Sequence, residues 1–172
     1  MRYSYETENA FHGTIREDAE SIWRTRKFHP PASDLRFGPG IYFWENSVIA
    51  AQQWVYRFYR NRPRNDYGII RATVRAEALL DLLTREHYRA LTVATNRVAR
   101  ARGVPITSVK HGAVLAVMVQ EGLIDAARIA FGTSGETRVH PQTELVAPLD
   151  VILCIFEPNN IVVTEFIDSE NQ

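Results

Sequence analysis

The spacing of apolar residues changes along this chain of 172 residues, and the change limits the folds that it can adopt. Up to residue 122, apolar residues recur at the helical period and predict helices over 18–27, 47–60, 84–102 and 108–121, the last of them mostly apolar and therefore expected to be largely buried. Short apolar or alternating runs between them predict strands over 9–12, 41–44 and 68–76. The remainder holds four short β-rich runs separated by turn signals, over 127–131, 143–146, 151–156 and 161–167. Helices concentrated early and strands clustered late are typical of an α+β fold.

Polar residues and glycines mark where two of these helices begin and end. Asn46 is a suitable N-cap for the helix over 47–60, and Thr84 is one for the helix over 84–102. Gly103 predicts the end of the latter helix. Four apolar residues recur at helical spacing in the helix over 47–60 and make it amphipathic: Val48, Ala51, Val55 and Phe58. Trp54, Val55 and Phe58 are expected to belong to the core.

Length and composition predict one ordinary globular domain over 1–172. The hydrophobic fraction is 45% and the charged fraction 23%, and no stretch approaches the roughly 20 apolar residues that span a bilayer. The N-terminus lacks the apolar segment of a signal peptide, so we expect a cytoplasmic protein without membrane attachment. Cys154 is the only cysteine and lies in an apolar run, which favours a buried side chain and predicts neither a disulfide nor a metal centre.

The formal net charge of zero conceals an uneven distribution along the chain. Residues 57–110 carry 12 Lys and Arg against 4 Asp and Glu, whereas residues 111–172 carry 2 against 9. Such a surplus indicates either an anionic partner or internal pairing with the acidic C-terminal third.

Three short motifs contain the residues that could perform chemistry. They are Phe11-His12-Gly13-Thr14, Gly38-Pro39-Gly40-Ile41-Tyr42-Phe43 and Gln142-Thr143-Glu144-Leu145-Val146. In this order and spacing they resemble the ADP-ribosyltransferase superfamily, in the branch of diphtheria toxin and the poly(ADP-ribose) polymerases, which is known by a His, a Tyr and a Glu on separate elements. The resemblance covers residues 10–60 closely and 127–167 more loosely. It implies split antiparallel sheets with flanking helices around an NAD-binding cleft.

The resemblance also implies a role for each motif residue. NAD⁺ would be the substrate, with no metal. His12 and Thr14 would bind the adenine-side ribose, the Gly13 backbone would hold the nicotinamide amide, and Tyr42 would stack on the nicotinamide ring. Glu144 would be catalytic, accepting a hydrogen bond from the 2′-hydroxyl of the nicotinamide ribose beside a carbon that becomes cationic.

The resemblance implies that the acceptor of ADP-ribose would be a macromolecule, either a nucleic acid or a protein. Related toxins orient the acceptor with a Gln or Glu two residues before the catalytic Glu, which is the position of Gln142. Four arginines interleave with aromatic residues after Tyr42, a combination that suits unpaired nucleic acid but also suits a solvated helix face: Arg57, Arg60, Arg62 and Arg64. A second basic run contains Arg97, Arg100, Arg102 and Lys110.

Three alternative functions are compatible with the same motifs. An NAD glycohydrolase would use water as the acceptor, and a binding module would hold NAD⁺ or ADP-ribose without turnover. An RNA 2′-phosphotransferase shares the fold, but His111-Gly112, which could suggest it, is expected to lie in a helix core. The resemblance favours transfer of single ADP-ribose units by an intracellular toxin, of a toxin–antitoxin or phage-defence type, with a possible antitoxin partner.

Overall fold

The computed structural model describes residues 3–29, 37–131 and 150–168. The helices in these residues are α1 (Arg16–Thr25), α2 (Val48–Phe58), α3 (Arg85–Arg102) and α4 (His111–Gln120). The strands are β1 (Tyr5–Ile15), β2 (Ile41–Glu45), β3 (Tyr67–Ala76), β4 (Leu79–Asp81), β5 (Ala126–Phe131), β6 (Asp150–Ile155) and β7 (Ile161–Asp168).

The seven strands form one sheet in the order β4-β5-β6-β2-β1-β3-β7. Neighbouring strands are antiparallel except for β4 and β5, which are parallel. A largely antiparallel sheet with separate helices confirms the predicted α+β class.

The helices cover both faces of the sheet. Successive strand residues point to opposite faces, so fully buried Phe43 packs on the α1 side while Trp44 packs on the α2 side. Helices α3 and α4 lie on the same side as α2, where they bury Leu115 against Cys154 of β6. Cys154 is therefore a buried hydrophobic residue, as predicted.

The structure confirms most predicted elements and corrects several boundaries. Helix α3 begins after Thr84, whose side chain accepts from the His87 N–H, and ends at Gly103 with φ of 63°. Asn46 is not the cap of α2: it has φ of 58°, and the Ser47 hydroxyl accepts from the Ala50 N–H instead. The run over 143–146 lies outside the described residues.

Three further differences have physical causes. Strand β1 continues past Gly13 to Ile15 because it remains paired with β3 along that length. Strand β4 has three residues, which is too short for alternation to reveal it, and it exists through its pairing with β5. His111 is not in a helix core, because it is the first residue of α4 and is exposed.

None of the helices in the part of the chain that the structure describes is long and apolar enough to cross a membrane.

Candidate functional site

Strands β1 and β2 form adjacent parts of the sheet but pair over only two residues of each strand. Their ladder ends at Phe11 opposite Trp44. By contrast, β1 stays paired with β3 from Ala10 to Ile15, and β2 stays paired with β6 from Ile41 to Glu45. Strands β1 and β2, which are neighbours in the middle of the sheet, therefore separate after this pair. We call the region between residues 12–15 of β1 and 41–43 of β2 the split.

The His12 side chain bridges the split. In the antiparallel register, the next ladder bond would run from the Gly13 N–H to the Tyr42 carbonyl, but the ladder has ended one step earlier. The Nδ1 atom of His12 lies 2.8 Å from that carbonyl oxygen. A carbonyl can only accept, so Nδ1 carries the hydrogen in this contact and Nε2 is left as an acceptor.

Aromatic neighbours keep the His12 imidazole neutral. Its ring lies edge-on to Phe28 at a centroid distance of 5.3 Å and tilted against Phe43 at 5.7 Å. Burial lowers the pKa of His12 below its usual value of 6.5, and the bond to Tyr42 only partly opposes this effect. A neutral ring with a free Nε2 lone pair can accept a hydrogen bond from a hydroxyl group.

Gly13 directs its backbone into the split. Along a strand, N–H and C=O groups of successive residues point to alternate neighbours, and His12 and Thr14 direct theirs to β3. The N–H and C=O of Gly13 therefore point toward β2. Its missing side chain has a packing reason, because a Cβ there would lie 2.6 Å from the Ala51 carbonyl oxygen and 2.6 Å from Cγ2 of Val55.

We expect Gly13→Ala to lower the free energy of unfolding by about 1–3 kcal/mol, because the added methyl group must push α2 away from β1. Urea unfolding followed by circular dichroism would measure the change. Adding Val55→Ala removes the contact with Cγ2 but should not restore wild-type stability, since the Ala51 carbonyl still blocks the space and Val55 is itself fully buried. Unchanged stability of Gly13→Ala would contradict the close approach of helix and strand.

Thr14 lies on the same face of β1 as His12 and is buried, with 6% exposure. It is opposite Gly68 of β3, where a Cβ would lie 2.6 Å from Cβ of Ala19 in α1. Helix α1 therefore packs closely on β3 at the residue paired with Thr14.

The Tyr42 side chain lies on the opposite face of the sheet from the His12 ring. Its hydroxyl donates to the Gly38 carbonyl, and its ring is tilted against Phe37 at a centroid distance of 6.3 Å. Behind it, burial raises the pKa of the Cys154 thiol to about 12, which leaves no reactive thiolate at neutral pH. The structure thus brings the His12 ring to the Tyr42 backbone, while the two side chains extend to different faces.

None of the other predicted site residues that the structure describes lies at the split. Glu144 and Gln142 lie outside the described residues. Arg57 and Arg60 are exposed near the end of α2. Arg62 forms an ion pair with Asp66 at 2.7 Å. The structure does not describe the side chain of Arg64. Among the described residues, no group of three or more His, Cys, Asp and Glu side chains could hold a metal.

The sequence interpretation missed a buried ionic network at the far end of β2. Arg128 of β5 reaches Glu45 with its Nε at 2.7 Å from Oε2, and its Nη1 lies 3.3 Å from Oδ2 of Asp81. The Tyr5 hydroxyl also donates to Glu45, and burial together with this carboxylate raises the Tyr5 pKa. The one sequence signal that could have indicated this network is Glu45, which directly follows the apolar residues of β2.

Comparisons with known proteins give a fold but not a family. No family model matches the chain. An uncharacterized protein of Methanocaldococcus jannaschii is 31% identical over 112 residues, which are 58% of this chain and 52% of that protein. The chain thus spans about half the length of this curated relative.

The fold is also found among solved structures. A chain of the M. tuberculosis MbcT–MbcA toxin–antitoxin complex matches with a TM-score of 0.52 and 15% identity, over 97% of this chain and 86% of that one. At this level of identity the match concerns the arrangement of helices and strands.

Proposed function

We propose that this protein transfers single ADP-ribose units from NAD⁺ to a macromolecule, with the dinucleotide bound along the split. The observation that carries the proposal is the early end of the β1–β2 ladder. At this point neutral His12 donates a hydrogen bond to the Tyr42 carbonyl, and the backbone N–H and C=O of Gly13 point toward β2. The motif that resembles the transferase family thus offers two kinds of contact. The Nε2 atom of His12 can accept a hydrogen bond from a hydroxyl group, and Gly13 offers a backbone N–H and C=O.

The nicotinamide amide matches the Gly13 edge chemically. A primary carboxamide has one carbonyl acceptor and one NH₂ donor, and a strand residue offers an N–H and a C=O on the same side. The carboxamide would therefore replace the next residue of β2 in the interrupted ladder. Such pairing orients the ring before the glycosidic bond breaks.

The other motif residues complete the proposed site. The Nε2 lone pair of His12 would accept from a hydroxyl of the adenine-side ribose, with Thr14 as a further hydroxyl contact. The Tyr42 ring, already oriented by its bond to Gly38, would stack on nicotinamide. Glu144 would stabilise the ribose cation through the 2′-hydroxyl.

The bond changes of the proposed reaction balance without an added reagent. The bond between the ribose anomeric carbon and the nicotinamide nitrogen breaks, and its electron pair leaves with neutral nicotinamide. A nucleophilic atom of the acceptor then bonds to the anomeric carbon and releases a proton.

We further propose that the protein is a toxin of the cytoplasm that an antitoxin protein restrains. The support is the fold that it shares with a chain of a toxin–antitoxin complex. Consumption of NAD⁺ or modification of an essential macromolecule would both make such a protein harmful to the cell.

The direct test is incubation of the purified protein with NAD⁺ labelled in the adenylate, together with total cell extract. We expect label to enter a macromolecular fraction as nicotinamide is released. Release of nicotinamide with free ADP-ribose alone would identify a hydrolase and contradict transfer. Absence of both products would contradict the proposed use of NAD⁺.

We expect His12→Ala and Tyr42→Ala each to weaken NAD⁺ binding more than Glu144→Gln does. The first two remove contacts to bound substrate, whereas the third removes an interaction that is strongest in the transition state. Loss of one such contact corresponds to roughly a tenfold rise in Kd. Calorimetric titration with NAD⁺ measures the effect, and unchanged affinity in both alanine variants would remove the dinucleotide from the split.

A further inference from the structure

The C-terminal end of α2 carries an exposed aromatic surface flanked by arginines, which we define as Trp54, Arg57, Phe58 and Arg60. The Phe58 ring is 56% exposed although its spacing predicted a core position. It packs almost parallel to Trp54, with a centroid distance of 5.8 Å and an interplanar angle of 23°. The surface thus holds a large apolar ring toward solvent in a fixed orientation.

The exposure of Phe58 corrects the core assignment of this helix. Ala51 and Val55 are fully buried, as their spacing predicted, but Phe58 contacts the rings of Trp54 and Tyr59 and leaves more than half of its surface in water. Exposing an apolar ring costs hydrophobic free energy unless a partner covers it. The Phe58 ring therefore presents an apolar surface to solvent that a partner could cover.

Two of the four predicted arginines remain available beside this ring. Arg57 and Arg60 are exposed, and neither forms an ion pair with another residue that the structure describes. Arg62 differs, because its guanidinium is neutralised by Asp66. Among the side chains that the structure describes here, the uncompensated positive charge thus comes from Arg57 and Arg60.

The aromatic–arginine surface lies close to the split. Gly13 is in contact distance of Ala51, and Phe58 follows Ala51 by seven residues on the same helix. At 1.5 Å per residue, the separation along the helix axis is about 10 Å. A ligand on the surface is therefore within reach of the proposed NAD⁺ site.

We propose that this surface binds single-stranded nucleic acid and that such a strand is the ADP-ribose acceptor, an inference that rests on the proposed function. Guanidinium groups pair with phosphates through fixed donor geometry, and an exposed aromatic ring stacks on unpaired bases of any sequence. Duplex bases are already stacked and cannot use the Phe58 ring. Residues 57–110 carry 12 Lys and Arg against 4 Asp and Glu. Arg62, Arg71, Arg75 and Arg97 pair with carboxylates, and the surplus that remains agrees in sign with an anionic partner.

The test is fluorescence anisotropy with labelled 12-nucleotide strands of mixed-sequence RNA and DNA, in the absence of NAD⁺. Phe58→Ala should weaken binding by about tenfold without changing the salt dependence, since stacking releases no counterions. Arg57→Gln together with Arg60→Gln should reduce the slope of log K against log salt by about 1.4, which is 0.7 for each lost phosphate contact.

Two control variants separate this surface from general charge and apolarity. Arg24→Gln with Lys27→Gln removes two exposed charges on and just after α1, the helix on the other face of the sheet, and should leave affinity within about twofold of wild type. Ile49→Ala removes an apolar side chain of α2 that is 62% exposed, and should have no effect.

Failure of this inference can be distinguished from failure of the proposed function. No binding of either strand by wild-type protein at low salt would overturn the nucleic-acid surface. So would a loss of affinity in the α1 control as large as that of the Arg57 and Arg60 variant, or binding of a 12-base-pair duplex as tight as that of the single strands. The assay contains no NAD⁺, so its result does not depend on turnover. Label that enters protein alone in the extract experiment, insensitive to nuclease, would overturn the acceptor assignment while leaving NAD⁺ transfer intact.

Discussion

Glu144→Gln is expected to lower the rate of ADP-ribose transfer by about 10²–10³-fold while the melting temperature remains nearly unchanged. The amide keeps the size of the carboxylate but lacks the negative charge that would stabilise the cationic ribose carbon. Because the lost interaction belongs to the transition state, the decrease should be seen in kcat more than in KM. The measurement is the initial rate of release of labelled nicotinamide with extract as the acceptor.

A second glutamate provides the matched control. Glu165 lies in β7, is exposed and has its carboxylate 3.5 Å from Arg71, so Glu165→Gln should leave the rate within about twofold of wild type. Near wild-type turnover by Glu144→Gln would refute the catalytic assignment. Induced expression gives a parallel readout, since wild-type protein should arrest growth and Glu144→Gln should not if the toxin proposal holds.

Arg128→Met is expected to lower the free energy of unfolding by about 3–5 kcal/mol. The substitution keeps much of the side-chain length but removes the guanidinium that Glu45 and Asp81 share. Their side chains are only 5% and 7% exposed, so two carboxylates would be left in a poorly hydrated region without their cation. Denaturant unfolding monitored by fluorescence measures the loss.

The control for this prediction is Arg97→Met, which breaks an ion pair with Glu121 at the surface. Both side chains of that pair are largely exposed, at 55% and 40%, so its removal should cost less than about 1 kcal/mol. Equal effects of the two substitutions would show that the Arg128 network contributes no more than a surface pair.

Local chemistry was sufficient to predict most of the helices and strands in the residues that the structure describes. Thr84 and Gly103 bound α3 because a hydroxyl cap and a left-handed residue act within one turn of the helix. The apolar run after Gly40 predicts β2, and the turn at Pro158 predicts the beginning of β7. The α+β class follows from the same short-range patterns, since periodicity is a property of adjacent residues.

The motif containing His12 and Gly13 was also readable from the sequence, but its geometry was not. Which carbonyl the imidazole meets depends on the register of β1 against β2, and that register is set by residues thirty positions apart. The early end of this ladder leaves no signature in either strand alone. The roles of these residues toward NAD⁺ therefore remain predictions that the described geometry supports.

Long-range packing decided the rest. Arg128 meets Glu45 across 83 positions, so no window of sequence could pair them. Phe58 and Val55 lie on the same face of α2, but Phe58 is exposed and Val55 is buried. A local pattern specifies which face of a helix is apolar, whereas burial depends on how far the opposing sheet extends. Only the tertiary arrangement determines that extent, because it is the sum of contacts between segments distant in the chain.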